Sequence, residues 1–149
     1  MKSFAVACVL VLATLFSASA SAHDWLVVSG VAYHFERRDE LRGNNPGIGW
    51  ERPDDEIPLV YAAGYYKNSY EKDTFYAGAQ WMPFSWGTPE GFNAQLGAFG
   101  GLASGYWTPV VVIPMLKLAY QRVGINIVAL PTVREYTGYV AAQLRFSFN

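Results

Sequence analysis

The sequence predicts an all-β protein: an eight-stranded antiparallel β-barrel of the outer-membrane type, crossing a bilayer with strands rather than helices. Three observations point there. The first is composition, with 52% hydrophobic, 16% aromatic and only 15% charged residues, where soluble domains carry about 25% charged. Such a chain is short of groups that face water. Past the N-terminus no apolar run approaches the ~20 residues a spanning helix needs, and a chain with excess apolar surface satisfies its backbone in lipid only by closing a sheet. The second is periodicity: from residue 25 onward apolar and polar residues alternate, punctuated by Gly, Pro, Asn and Asp clusters, and helical spacing is nowhere sustained. The third is the N-terminus. Lys2, the apolar run Phe4 to Phe16 and the series Ser17-Ala18-Ser19-Ala20-Ser21-Ala22 form a secretory signal peptide, with cleavage expected after Ala22. Residues 1–22 are therefore read as signal and 23–149 as one barrel domain. The only cysteine, Cys8, lies in the signal, so neither disulfides nor cysteine-bound metals are expected.

In chain order the strands are expected near 26–36, 46–52, 57–67, 73–83, 92–104, 109–120, 122–131 and 137–148. The count is even, as single-chain outer-membrane barrels require. In the first strand the alternation runs up to His34. In the fourth, Tyr76, Gly78 and Gln80 share one face and Ala77, Ala79 and Trp81 the other; a lipid-facing Trp81 turns Gln80 inward. The sixth contains Pro109 and Pro114, and Pro131 stands near the end of the seventh. Proline cannot donate to a ladder, and a closed barrel has no edge to hide it on. Pairing between strands six and seven should therefore fail in their outer halves, either as a lateral slot into the lumen or as a plain bulge. Strand seven sets Val123, Ile125 and Ile127 outward with Asn126 inward. Strand eight sets Val140, Ala142, Leu144, Phe146 and Phe148 toward lipid and Ala141, Gln143, Arg145 and Ser147 toward the lumen. Trp25, Trp50, Trp81, Phe84, Trp86, Tyr106, Trp107, Tyr136 and Tyr139 are expected to form the interfacial aromatic girdles. A soluble barrel of the lipocalin type would reverse this polarity, and the scarcity of charge on the strands argues against it.

A barrel that begins in the periplasm sends its odd strands outward, so the hairpins at 37–45, 67–72, 105–108 and 132–136 are expected to be extracellular. This brings His34 to the same side as Lys67-Asn68-Ser69. His34 is the only histidine past His23. An imidazole beside a hydroxyl is the pairing used in acyl transfer, where the ring removes a proton and an oxygen attacks an ester. The plain alternatives are a strand-end histidine and a turn-forming serine. In the first hairpin Arg37, Arg38 and Arg42 are interleaved with Glu36, Asp39 and Glu40. That pattern reads either as a solvated loop or as a clamp for glycolipid phosphates.

The run from His34 through "RGNNPGIGW", then "YKNSYEKDTFYAGAQW", "PMLKLAYQRVGINIVALP" and "QLRFSF", resembles the outer-membrane lipid A palmitoyltransferase family across about residues 33–148. The resemblance implies an eight-stranded barrel in the bacterial outer membrane that moves a fatty acyl chain, palmitoyl or shorter, from a phospholipid donor to lipid A of lipopolysaccharide. It implies outer-membrane lipids as its surroundings, a monomer, no cofactor and no nucleic-acid partner. The family's essential histidine matches His34, its serine matches Ser69, and the prolines of its lateral gate match Pro114 and Pro131. Asn68 stands where the family has an aspartate, and is expected to orient His34 by a hydrogen bond. Gln80 stands where a glycine floors the family's acyl pocket, so a shallower pocket is expected. The family's short N-terminal amphipathic helix has no counterpart. The competing readings are a non-catalytic small barrel and a lipid A deacylase or phospholipase.

Overall fold

The computed structural model describes residues 24–36, 40–133 and 137–148. The signal peptide, Arg37, Arg38, Asp39 and Tyr136 lie outside the described residues. Eight strands follow one another: β1 (Asp24–His34), β2 (Asn44–Pro53), β3 (Leu59–Lys67), β4 (Asp73–Gly87), β5 (Phe92–Ala103), β6 (Val110–Tyr120), β7 (Val123–Leu130) and β8 (Tyr139–Phe148). Each pairs antiparallel with the next, and β8 pairs with β1, so the sheet closes as the alternation requires. We call the end with the connections 35–43, 68–72, 104–109 and 131–138 the upper rim. The lower rim holds the chain ends and the turns 54–58, 88–91 and 121–122. In the first of these turns the Asp54 carboxylate accepts the N–H groups of Glu56 and Ile57, which hold its carboxyl below the usual carboxylate range.

The polarity is that of a membrane-spanning barrel. Leu144, Phe146 and Phe148 are exposed on the outer face of β8, as are Val110 and Val112 on β6, whereas Arg145 is buried in the lumen. Asn126 is likewise buried, between the outward Ile125 and Ile127. Trp81, Phe84 and Trp86 are exposed on the outer wall, and Trp107 is 96% exposed on the upper rim. Two residues assigned to the girdles turn inward instead. Trp25 pairs with Glu51 and Ser147 in the lumen-facing register, where the Arg145 guanidinium lies 4.2 Å from its ring centre. Tyr139 pairs with His34 and faces it. Tyr106, on the β5–β6 connection, bonds through its hydroxyl to Tyr66 at 2.7 Å. Period two decides the face, and a cation or a polar partner inside makes an inward aromatic favourable.

β4 runs to Gly87, four residues past the expected end at 83. Its register with β5 shifts between Trp81 and Phe84, and its pairing with β3 has already ended at Leu59↔Trp81. Pro83 thus sits in a bulge beyond the last β3 partner, and its missing N–H interrupts no ladder. The expectation for Pro114 is met. The β6–β7 ladder ends at Met115↔Val128, so the upper part of β6 pairs only with β5, and Ala129 and Leu130 pair only with β8. Pro131 lies just past β7, and Pro109 just before β6 rather than within it.

The lumen is held by one carboxylate. Glu51 of β2 accepts Lys117 Nζ at 2.8 Å, Asn126 Nδ2 at 2.7 Å, Gln80 Nε2 at 2.7 Å and the Arg145 guanidinium at 3.4 Å. Lys117 also donates to Gln80 Oε1, and all five side chains are buried. Beside this network Tyr76 lies against Gly49 and Gly64, and Phe99 against Gly78 and Gly101, where any Cβ would collide with the rings. Phe99 packs with Ala62 and Met115, flanked by Tyr76 and Val128.

Removing Glu51 strands two buried cations, whereas removing Lys117 leaves Glu51 with Arg145. The expected outcome is that Glu51→Ala costs about 3–5 kcal/mol, as breaking a buried ion pair does, and Lys117→Met clearly less. Urea unfolding of the detergent-solubilised barrel, followed by heat-modifiable gel migration, measures both; equal midpoints for Glu51→Ala and wild type would remove the network's structural role.

Candidate active site

The stretch Lys67-Asn68-Ser69 is a hairpin turn that also presents the Ser69 hydroxyl to His34. Asn68 N donates to Lys72 O and Glu71 N to Asn68 O, and Glu71 has φ 60°. That is a type I turn closed by a left-handed residue, one of the common longer hairpin connections. Asparagine suits its first position because its side chain bonds its own turn. Asn68 Oδ1 accepts Tyr70 N at 2.9 Å and Lys72 N at 3.0 Å, while Nδ2 donates to Thr74 Oγ1 at 3.1 Å and Gly105 O at 3.3 Å. The four bonds exhaust a primary amide. Asn68 is fully buried and orders the turn; it has no bond left for the imidazole, which corrects the expectation that it orients His34.

Ser69, next in the turn, is placed from two sides. Its carbonyl accepts Arg42 N at 3.0 Å, which docks the β1–β2 connection on the β3–β4 turn. Its Oγ lies 2.8 Å from His34 Nε2, so residues 35 apart in the chain meet on the upper rim as expected. His34 is buried, turned inward at the end of β1, with the Tyr139 ring 5.8 Å away. A hollow of about 130 Å³ lies beside the imidazole, among Ala32, Tyr33, Leu41 and Gly43.

Sequence reasoning missed Asn45. The β1–β2 register shifts between Ser29 and Val31, so that Val31 pairs with Asn44 and Ser29 with Gly47. Asn45 and Pro46 fall in this irregularity, unpaired with β1, and Asn45 is buried. Its Nδ2 donates to Lys67 O at 3.0 Å and to Ser69 Oγ at 3.3 Å. The available signal was Pro46, since a proline inside a barrel strand marks a bulge, and bulges re-aim side chains.

The other candidates are placed as follows. Arg42 points to Glu71 at 3.9 Å, a partly exposed pair that contributes little, and the remaining two arginines of the loop are outside the described residues. Gln80 faces the lumen as expected. Its amide is buried and bonded to Glu51 and Lys117, and its Cα pairs with that of Phe99, so it belongs to the buried polar network of the lumen. Pro114 and Pro131 flank the unpaired part of β6 and β7. Around the dyad, Tyr66, Tyr70 and Tyr106 gather at the mouth, with Tyr70 and Tyr106 edge to face at 6.5 Å. Burial, and then the neighbouring Tyr66 oxygen, push the Tyr106 hydroxyl above the usual phenol range.

The sequence matches no protein-family model and no curated protein. Among solved structures, the backbone structure of the Yersinia pestis outer membrane protein Ail in a phospholipid bilayer nanodisc aligns with 86% of this chain and 100% of its own, at 9% identity and a TM-score of 0.43.

Because the Asn68 amide donates to Gly105 O, an aspartate there would set a carboxylate oxygen against a carbonyl. The expected result is that Asn68→Asp lowers stability by about 1–3 kcal/mol, the cost of an unsatisfied buried group, and loosens the turn that presents Ser69. Urea titration of the folded band tests it, and an unchanged midpoint would show that the amide does not pin the turn.

Proposed function

We propose that this barrel resides in the outer membrane and transfers a fatty acyl chain from a phospholipid to lipid A, with Ser69 as nucleophile and His34 as the proton acceptor. The observation that carries the reading is the 2.8 Å contact between His34 Nε2 and Ser69 Oγ. It joins the end of β1 to the distant β3–β4 turn on the upper rim, where headgroups of outer-leaflet lipids would sit. Hydrogen-bond contact between a hydroxyl and a base is the requirement for activating a nucleophile.

In the first half-reaction His34 Nε2 takes the proton of Ser69 as Oγ attacks the donor's ester carbon. The C–O bond to the lysophospholipid breaks, and its oxygen leaves with the proton from His34. In the second half a lipid A hydroxyl gives its proton to His34 and attacks the acyl-serine, which returns Oγ with its hydrogen. The unpaired upper part of β6 and β7 supports the reading, since a gap in the wall lets a membrane lipid approach the rim without leaving the bilayer. The buried network of Gln80, Glu51 and Lys117 favours a second reading, a non-catalytic barrel, because an acyl chain entering beside Gln80 would have to displace it.

Mass spectrometry of lipid A from cells making wild-type protein, His34→Ala or Ser69→Ala separates these. Wild type should add one acyl chain and each variant none, with heat-modifiable folding retained, since loss of a general base costs roughly 10²–10⁴ in rate. Unchanged lipid A in all three would leave the non-catalytic barrel, and acyl chains removed by wild type would indicate a deacylase.

A further inference from the structure

We infer that Asn45 is the third member of the site, a positioning residue that directs the Ser69 proton toward His34 and stabilises negative charge on Ser69 Oγ; this rests on Ser69 acting as the nucleophile. The orientation of the Asn45 amide is not arbitrary. Nδ2 lies 3.0 Å from Lys67 O, a carbonyl that can only accept, so the atom facing the turn is the nitrogen. The same nitrogen reaches Ser69 Oγ at 3.3 Å, as a donor.

Among the described residues Ser69 Oγ has two partners, Asn45 Nδ2 and His34 Nε2. With one of them a fixed donor, the hydroxyl hydrogen is left to His34 Nε2, the direction proton removal requires. As the oxygen loses its proton its charge grows, and the Asn45 N–H···O contact strengthens with it. An interaction stronger in the transition state than in the ground state is what raises a rate. The other end of the amide supports a functional role. Asn45 Oδ1 is buried and without a hydrogen-bond partner among the described residues, a cost that folds tolerate mainly where the group serves something besides stability. The irregular β1–β2 register and Pro46 are what aim this side chain across at the β3–β4 turn.

The test is the reactivity of Ser69 toward a fluorophosphonate, which phosphonylates activated serines with loss of fluoride and needs no lipid substrate. Purified wild type should be modified at Ser69, and His34→Ala and Ser69→Ala should not. Asn45→Asp and Asn45→Ser should each react at least roughly tenfold more slowly while keeping heat-modifiable migration. In Asn45→Asp the rate should also vary differently with pH, because a carboxylate then competes for the serine proton. Equal rates in folded Asn45 variants, or no modification of wild type where a control serine hydrolase reacts, would overturn the inference. Modification of Ser69 without any acyl transfer to lipid A would sink the transferase reading and leave this one standing.

Discussion

A single carboxylate organises the interior of this barrel. Glu51 is reached from β4, β6, β7 and β8 at once, by Gln80, Lys117, Asn126 and Arg145. A closed sheet fixes only neighbour-to-neighbour spacing; the network fixes distances across the lumen. Two cations facing one anion would repel if that anion were absent, so the ties to β4, β6, β7 and β8 all depend on the same group. The glycines at 49, 64, 78 and 101 then let aromatic rings fill the space that the network leaves. With the middle of the barrel occupied, the described chemistry-bearing groups collect at the upper rim, where connections and not strands set their geometry.

That division explains what was legible in the sequence. Strand count, closure and the faces of β7 and β8 follow from period two, which a one-residue slip would invert. The meeting of His34 and Ser69 required only parity, because both stand beside connections on the same rim. Prolines were legible as missing donors but not as to consequence: Pro114 ends a ladder, whereas Pro83 sits harmlessly in a bulge because β3 has already run out beside it. Aromatics misled for a related reason. Trp25 and Tyr139 have the composition of a girdle, but their faces are set by register, and a guanidinium and an imidazole inside receive them.

Asn68, aligned by resemblance with an aspartate, shows where resemblance and geometry part. A carboxylate beside a histidine is read as an orienting partner by analogy with triads, yet here the side chain is consumed by its own turn, Thr74 and Gly105. The amide that does reach the serine, that of Asn45, comes from another strand and from a register irregularity whose one local trace is Pro46. Side-chain roles on a rim are fixed by which connections dock on one another, and the Arg42 N to Ser69 O bond is a contact of that kind.

The gap between β6 and β7 bears on the mechanics of the whole cylinder. Below Met115 and Val128 the β6–β7 seam is a continuous ladder, and a radial push on it is resisted by those bonds. Above them the ladder is cut, so the same push meets only bending of two cantilevered strand ends, anchored to β5 on one side and β8 on the other. At this seam the molecule therefore combines a closed band with a split collar, and the split lies toward the rim on which His34 and Ser69 stand.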